Sequence, residues 1–308
     1  MINCRSAAEI AQMRAANRLV AQVLAELEGV VAPGMTTQDL DEMAERLVRA
    51  GGAVPAFKGY RGFPATLCTS GNAEVVHGIP SRVRPLVDGD IVSIDIGVKL
   101  DGYYGDSAVT VPVGRIPERT QELLRVTRES LEKAIEAVKV GGRVSDIGHA
   151  VQTWVEAHGF SVVREFVGHG IGQQLHEEPQ IPNYGTPGRG ARLAEGMVLA
   201  IEPMVAMGRP DVKVLKDGWT AVTKDGSLAA HFEHTVAVGA DGPVVLTARE
   251  LPAGAATARG RLKARCSRCC RGRCIGWRWA KGKVDMWCRR TRRRDPRSIS
   301  SACWSGIG

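Results

Sequence analysis

The chain has 308 residues, 44% hydrophobic and 24% charged, the make-up of an ordinary globular protein with room for one large domain or two small ones. It contains no apolar run of the ~18 residues that a membrane-spanning helix needs. The net charge of +8 is unevenly spread: residues 253–308 hold 13 Arg and 3 Lys against 2 Asp and no Glu, a local +14 that leaves −6 for the remainder.

The first element is a helix. Ser6-Ala7-Ala8-Glu9 has the form of a capping box. The helix it opens carries Arg14, Arg18, Glu26 and Glu28, so no apolar signal-peptide core follows, and a cytoplasmic location is expected. There the eight cysteines would stay reduced. A diverged repeat recurs further along. Gly34, Asp39, Leu40, Ala44, Val48 and Gly52 align with Gly141, Asp146, Ile147, Val151, Val155 and Gly159, and Leu19, Leu24 and Val31 with Val126, Leu131 and Val138. Each copy reads as a long helix, a Gly turn, a second helix ending in Gly, and then strands. The spacing of Leu40, Met43, Ala44 and Leu47 is helical. An α+β body is expected, with strands from both halves in one sheet covered by helices on one face.

Between the two copies lies a β-hairpin. Ile91–Val98 alternates, with Val92, Ile94, Ile96 and Val98 on one face and Ser93, Asp95 and Gly97 on the other. Lys99-Leu100-Asp101-Gly102 is the turn, and Tyr103–Val111 returns. A turn centred between Leu100 and Asp101 sets Asp95 directly opposite Asp106, with Cβ atoms ~5 Å apart, where like charges repel. A shared proton or a cation must offset that repulsion. Three later segments each place a ligand-type residue among strand formers: Phe160–Val167 leading into Gly168-His169-Gly170, Met197–Pro203 with Glu202, and Ala229–Val238 with Glu233. The glycines beside His169 are expected to let the backbone approach whatever the imidazole meets. Asp95, Asp106, His169, Glu202 and Glu233 together make a candidate two-metal site. Four carboxylates and one imidazole suit Mn, Fe, Co or Zn, and two such ions can share and acidify a bridging water.

Seven stretches, in this order, resemble type I methionine aminopeptidases: Glu74-Val75-Val76-His77-Gly78-Ile79-Pro80, Ser93-Ile94-Asp95-Ile96-Gly97, Gly105-Asp106-Ser107, Gly168-His169-Gly170-Ile171-Gly172, Leu175-His176-Glu177-Glu178-Pro179, Ile201-Glu202-Pro203-Met204 and Phe232-Glu233-His234-Thr235. The resemblance covers about residues 5–250. It implies the pita-bread fold, with two pseudo-symmetric halves and a curved antiparallel sheet. It also implies a dinuclear site in which Asp106 and Glu233 bridge the ions, Asp95 chelates one, and His169 and Glu202 complete the other. By the same resemblance His77 contacts the scissile amide nitrogen and His176 the carbonyl or its oxyanion. Tyr60, Phe63, Cys68, Leu175 and Trp219 match the walls of the methionine pocket, although Phe63 and Leu175 replace the Tyr and Phe expected there.

The implied activity is metal-dependent removal of the initiator methionine from nascent chains with a small second residue, a metal-bridging water attacking with help from Glu202. Nascent N-termini are the implied partners, with ribosome association and a monomeric state. An X-Pro-type peptidase of the same fold is disfavoured, because the segment ahead of His77 is too short for the extra domain of those enzymes. A non-catalytic ribosome-associated RNA-binding protein would have lost ligands, and all five are present.

A boundary falls near Leu251-Pro252-Ala253-Gly254, dividing a catalytic part, 1–252, from a tail, 253–308. The tail holds six of the eight Cys and four of the six Trp and shows no helical or strand periodicity. Cys266, Cys269, Cys270 and Cys274 lack the flanking pattern of a structural zinc site. The arginines, with Trp277, Trp279 and Trp287, make the tail a candidate RNA-binding segment. Its composition also matches a GC-rich message read out of frame, and it is read as an unstructured or out-of-frame extension.

Overall fold

The computed structural model describes residues 2–249 and the backbone of two short strands at 276–280 and 283–287. Helix α1, Ala7–Val30, opens with the expected capping box: the Ser6 hydroxyl accepts from the Glu9 N–H, and the Glu9 carboxylate accepts from the Ser6 N–H at 2.8 Å. Helix α2, Thr37–Ala50, is capped in the same way by Thr36 and Asp39, and buries Leu40, Ala44 and Val48 at four-residue spacing. Helices α3, Glu118–Glu136, and α4, Val144–Ala157, follow in the second half.

The strands of the first half are β1 Val54–Pro55, β2 Leu67–Gly71, β3 Glu74–Val76, β4 Ile91–Leu100 and β5 Tyr103–Pro112. Those of the second are β6 Ser161–Val162, β7 Gly168–Gly170, β8 Glu177–Ile181, β9 Val198–Ile201, β10 Met204–Ala206, β11 Val212–Val214, β12 Ala221–Thr223, β13 Ala229–His231, β14 His234–Gly239 and β15 Gly242–Val245. Residues from all four helices and from β4, β5, β9 and β14 share one apolar core.

The repeat is real in three dimensions. Helices α2 and α4 are both 14 residues long and start 107 residues apart, at Thr37 and Val144. Gly34 N–H bonds Leu86 O, and Gly141 N–H bonds Leu193 O, at the same interval. Strands β4 and β9 begin at Ile91 and Val198, again 107 apart, so Asp95 and Glu202 occupy equivalent places in the two halves.

The strands pair antiparallel, in four ladders rather than in one continuous sheet: β1-β4-β2 with β5 on β4; β15-β14-β9-β7-β8; β13-β10-β6; and β11-β12-β3. The last ladder joins the halves, since β3 precedes the hairpin and β12 follows it. A second seam lies along β5. Glu233 N–H bonds Ala108 O, the Ser107 hydroxyl donates to Glu233 O at 2.6 Å, and the Thr235 hydroxyl donates to Asp106 O at 2.7 Å.

The hairpin register differs from expectation. Asp95 pairs with Ala108 and Asp106 with Gly97, so the two aspartates are diagonal neighbours on one face and not directly opposed. The turn is the two-residue Asp101-Gly102, with φ of 50° and 84°, and Leu100 faces Tyr103. Positive φ at both central residues defines the turn that best matches strand twist, and Asp-Gly is its preferred sequence. Because the register moves by an even step, the side chains keep their faces.

By contacts the chain divides into two compact units, Met1–Arg249 and Glu250–Gly308. In the second, Gly276–Ala280 (β16) pairs antiparallel with Lys283–Trp287 (β17), in a stretch where the sequence shows no strand periodicity. The cysteine-zinc and RNA-binding readings of the tail fall otherwise outside the described residues. Among the described residues, no helix is long and apolar enough to cross a membrane.

Candidate functional site

The seam between the halves gathers the predicted polar residues. Asp95 projects from β4 and Asp106 from β5; His169 is the middle of β7; Glu202 follows β9; Glu233 lies between β13 and β14. His77 follows β3, and His176 precedes β8. All seven line one cavity of about 180 Å³ together with Tyr60, Phe63, Cys68, Leu175 and Trp219. A more open cleft of about 650 Å³ shares His77, Asp95, His169, His176 and Glu202 with it. The cavity is therefore a deep pocket with a wide mouth.

The glycines around His169 serve the sheet and not a ligand. A Cβ on Gly168 would collide with the Ala200 carbonyl oxygen, and one on Gly170 with that of Glu178. Strand β7 is the middle of β8-β7-β9, and both neighbours approach closer than any side chain permits. The imidazole is fixed from one side: its Nδ1 lies 2.9 Å from Gly170 O and donates to it. That leaves the Nε2 lone pair facing the cavity, 3.6 Å from Glu202 Oε1.

The carboxylates are crowded, and two of them are deeply buried. Asp106 and Glu233 are 3% exposed, and Asp95 Oδ1, Asp106 Oδ1 and Glu233 Oε1 are buried without any partner. Burial pushes the Asp95 and Glu202 carboxyls up to about 7, and pushes Asp106 and Glu233 well above the ordinary range; neighbouring carboxylates add to the rise at Asp95, Asp106 and Glu233, while the His169 ring opposes it at Glu202. Unpaired buried carboxylates are among the costliest groups in a protein interior, unless they coordinate a cation. One oxygen each of Asp106 and Glu233 and one ring nitrogen of His169 lie within 4.8 Å of one another. Hard oxygen donors with one imidazole fit divalent cations, and the orphaned oxygens show that these residues suit such ions.

Two further histidines of the cavity, His77 and His176, are held in the neutral form. His77 is pulled down to about 4, mainly by burial, with the nearby His231 adding to it. His176 is at the mouth, yet lost hydration and then the adjacent His169 ring hold it at about 3. Its Nδ1 meets the Tyr60 hydroxyl at 2.9 Å, and its ring centroid lies 4.3 Å from that of His169. His77 has φ of 60°, a conformation that costs a non-glycine residue ~1 kcal/mol or more. Its ring stands edge-on to Phe166 and Trp219, so packing holds the strained backbone in place.

The pocket walls are apolar. Phe63 meets Trp219 edge-to-face at 5.2 Å, and Leu175 is fully buried. Cys68 pairs with Asp95 across β2 and β4; burial and then the Asp95 charge push its thiol well up, so it acts as an apolar wall. Three contributors escaped the sequence reading. Phe57 fills the space that a side chain on Gly97 would need, and Arg61 lies at the mouth. His231 is 2% exposed and places Nε2 3.6 Å from Glu202 Oε2. Its signal was its position two residues before Glu233 in an extended segment, which puts both on one face.

A carboxylate and imidazole cluster suited to cations thus lies beneath an apolar slot at the seam between the two halves. Residues 11–240 match the model of metallopeptidase family M24. The chain is 56% identical over 247 residues to methionine aminopeptidase 1 of Bacillus subtilis, spanning 80% of this chain and 99% of that one. It is 52% identical to the methionine aminopeptidase of Clostridium acetobutylicum over the same shares. The crystal structure of methionine aminopeptidase from Thermotoga maritima superposes with a TM-score of 0.79 at 50% identity, covering 80% of this chain and 99% of that one. The prolidase from Pyrococcus furiosus shares the fold alone, at 23% identity and a TM-score of 0.66. The chain belongs to the methionine aminopeptidase branch of metallopeptidase family M24, and its fold is the pita-bread fold.

Proposed function

We propose that this protein removes the N-terminal methionine from newly made chains whose second residue is small. The observation that carries the reading is the convergence of seven polar residues and five apolar walls on one cavity. Asp95, Asp106, His169, Glu202 and Glu233 would hold two divalent cations, drawn from Mn, Fe, Co and Zn. Such cations supply Lewis acidity, polarising the scissile carbonyl and acidifying a water beside it.

The apolar slot between Tyr60, Phe63, Cys68, Leu175 and Trp219 takes the methionine side chain, where sulfur–aromatic contacts add about 0.3–1.5 kcal/mol. Leu175 and Phe63 make the slot slightly different in shape from one lined by Phe and Tyr. Tyr60 also orients His176. A phenol is a better donor than a neutral imidazole N–H, so its hydroxyl donates to Nδ1 and leaves Nε2 protonated. That Nε2–H is aimed at the carbonyl oxygen, and strengthens as the oxygen gains charge. His77, also neutral, hydrogen-bonds near the scissile nitrogen, and Glu202 accepts the proton of the attacking water. Residues 1–252 form the catalytic part, and the protein acts as a monomer in the cytoplasm.

Hydrolysis of Met-Gly-Met-Met and of a Gly-Pro substrate, with and without chelator, tests the reading. Release of methionine from the first alone, lost on chelation and restored by a divalent cation, is expected. Preference for Gly-Pro would overturn it. Ribosome association, through the strongly basic segment 253–308, is expected to fall steeply with salt. Truncation after Pro252 should reduce salt-sensitive co-sedimentation with ribosomes and leave kcat/KM unchanged.

A further inference from the structure

One buried group of the site has no place in the ligand set proposed above. His231 ends β13, and its position is doubly fixed. Strand β10 pairs it with Met204, while the Thr110 hydroxyl on β5 bridges its backbone N–H and C=O, each at 2.8 Å. Its Nε2 is buried and has no hydrogen-bond partner. The nearest charged atom is Glu202 Oε2 at 3.6 Å, and the other oxygen of that carboxylate, Oε1, lies 3.6 Å from His169 Nε2. Glu202 is thus bracketed by two imidazoles.

The two rings differ in what they can offer. His169 uses Nδ1 as donor to Gly170 O, so its Nε2 presents a lone pair. His231 Nε2 faces Glu202, whose oxygens only accept once ionised, the form that binds a cation, so an Nε2–H suits that direction. A gap of 3.6 Å exceeds an ordinary hydrogen bond, so the bond requires the Glu202 side chain to turn towards His231.

We propose that His231 is a positioning residue whose Nε2–H holds Glu202 Oε2 and reserves Oε1 for the cation shared with His169. The inference rests on the cation-binding reading of the same site. Groups that orient a metal-binding carboxylate typically change affinity 10–100-fold when removed. A Gln side chain keeps an N–H donor at similar reach, and a Leu side chain keeps bulk without one.

The test is titration of metal-free wild type, His231→Gln and His231→Leu with Mn(II) by calorimetry, alongside their metal-free melting temperatures. Wild type and His231→Gln should bind within a few-fold of each other, and His231→Leu about 10–100-fold more weakly at one site. Imidazole nitrogen NMR of the wild type gives a readout that needs no variant, and should show Nε2 protonated. Equal loss of one ion from both variants would make His231 a ligand and overturn the proposal, as would an unprotonated Nε2. Wild-type uptake matched by His231→Leu would sink this inference alone. No uptake by the wild type would sink the cation reading, and this inference with it.

Discussion

Asp106 shows how strongly the site depends on charge. It is buried, its Oδ1 has no partner, and it stands near Asp95, Glu202 and Glu233. Asp106→Asn keeps the shape and removes a negative charge from that cluster. The variant should lose bound metal and activity, while its metal-free melting temperature at pH 8 should not fall below that of metal-free wild type. Elemental analysis and calorimetry measure both. A large metal-free loss would show the carboxylate to be structural. His77→Ala and His176→Ala should instead keep their metal and lose about 10²-fold or more in kcat, as groups acting on the transition state do. Asp95 was legible from pattern, because Ile94-Asp95-Ile96 turns one carboxylate away from two core residues, whereas His77 and His176 lie outside the strands and were legible only through the family resemblance. Phe57 was not legible. Its role follows from Gly97, a strand away, and no spacing along the chain connects the two.

The hairpin marks the limit of pattern reading among the elements. Alternation alone set the faces of β4 and β5 correctly, because the side-chain period is two. It could not set the register, which depends on which two residues occupy the turn. Asp101-Gly102 carries that information, since glycine and aspartate are the residues that tolerate positive φ. Strand β7 teaches the complementary point. The glycines of Gly168-His169-Gly170 read as making room for whatever the imidazole meets, and the room is taken by the backbones of β8 and β9 on either side. Gly170→Ala should therefore cost about 1–3 kcal/mol in urea unfolding of the metal-free protein, by overpacking against the Glu178 carbonyl. By displacing His169 it should also weaken metal binding. A variant as stable as wild type and binding metal as tightly would show that the sheet has slack.

In the whole molecule, the repeat was legible because helix caps and turn glycines recur at one interval. The same interval relates Asp95 to Glu202. The ladders were not legible, since pairing β3 with β12 joins segments far apart in the chain. Charge in the assembled site makes a further prediction. Above pH ~7.5, a unit past the pKa of an unfolded histidine, His77, His176, His231 and His234 are neutral both folded and unfolded, and contribute nothing to pH dependence. Asp95 and Glu202 hold their protons up to about 7 when folded, and burial raises Asp106 and Glu233 well above the ordinary carboxylate range, while the unfolded chain has released them all. The folded state then binds more protons, so stability falls as pH rises, by about 1.4 kcal/mol per pH unit for each proton retained. Metal-free protein should melt progressively lower from pH 7.5 to 8.5, and a saturating divalent cation should flatten the trend; melting curves with and without chelator decide it. Finally, the exposed connection at Gly114–Ile116 separates Asp95 and Asp106 from His169, Glu202 and Glu233. Chains cut there would each carry part of a donor set and one side of the β5 seam. Activity would then arise only on reassembly, which makes the protein a ready-made two-piece reporter in which turnover counts encounters between fragments.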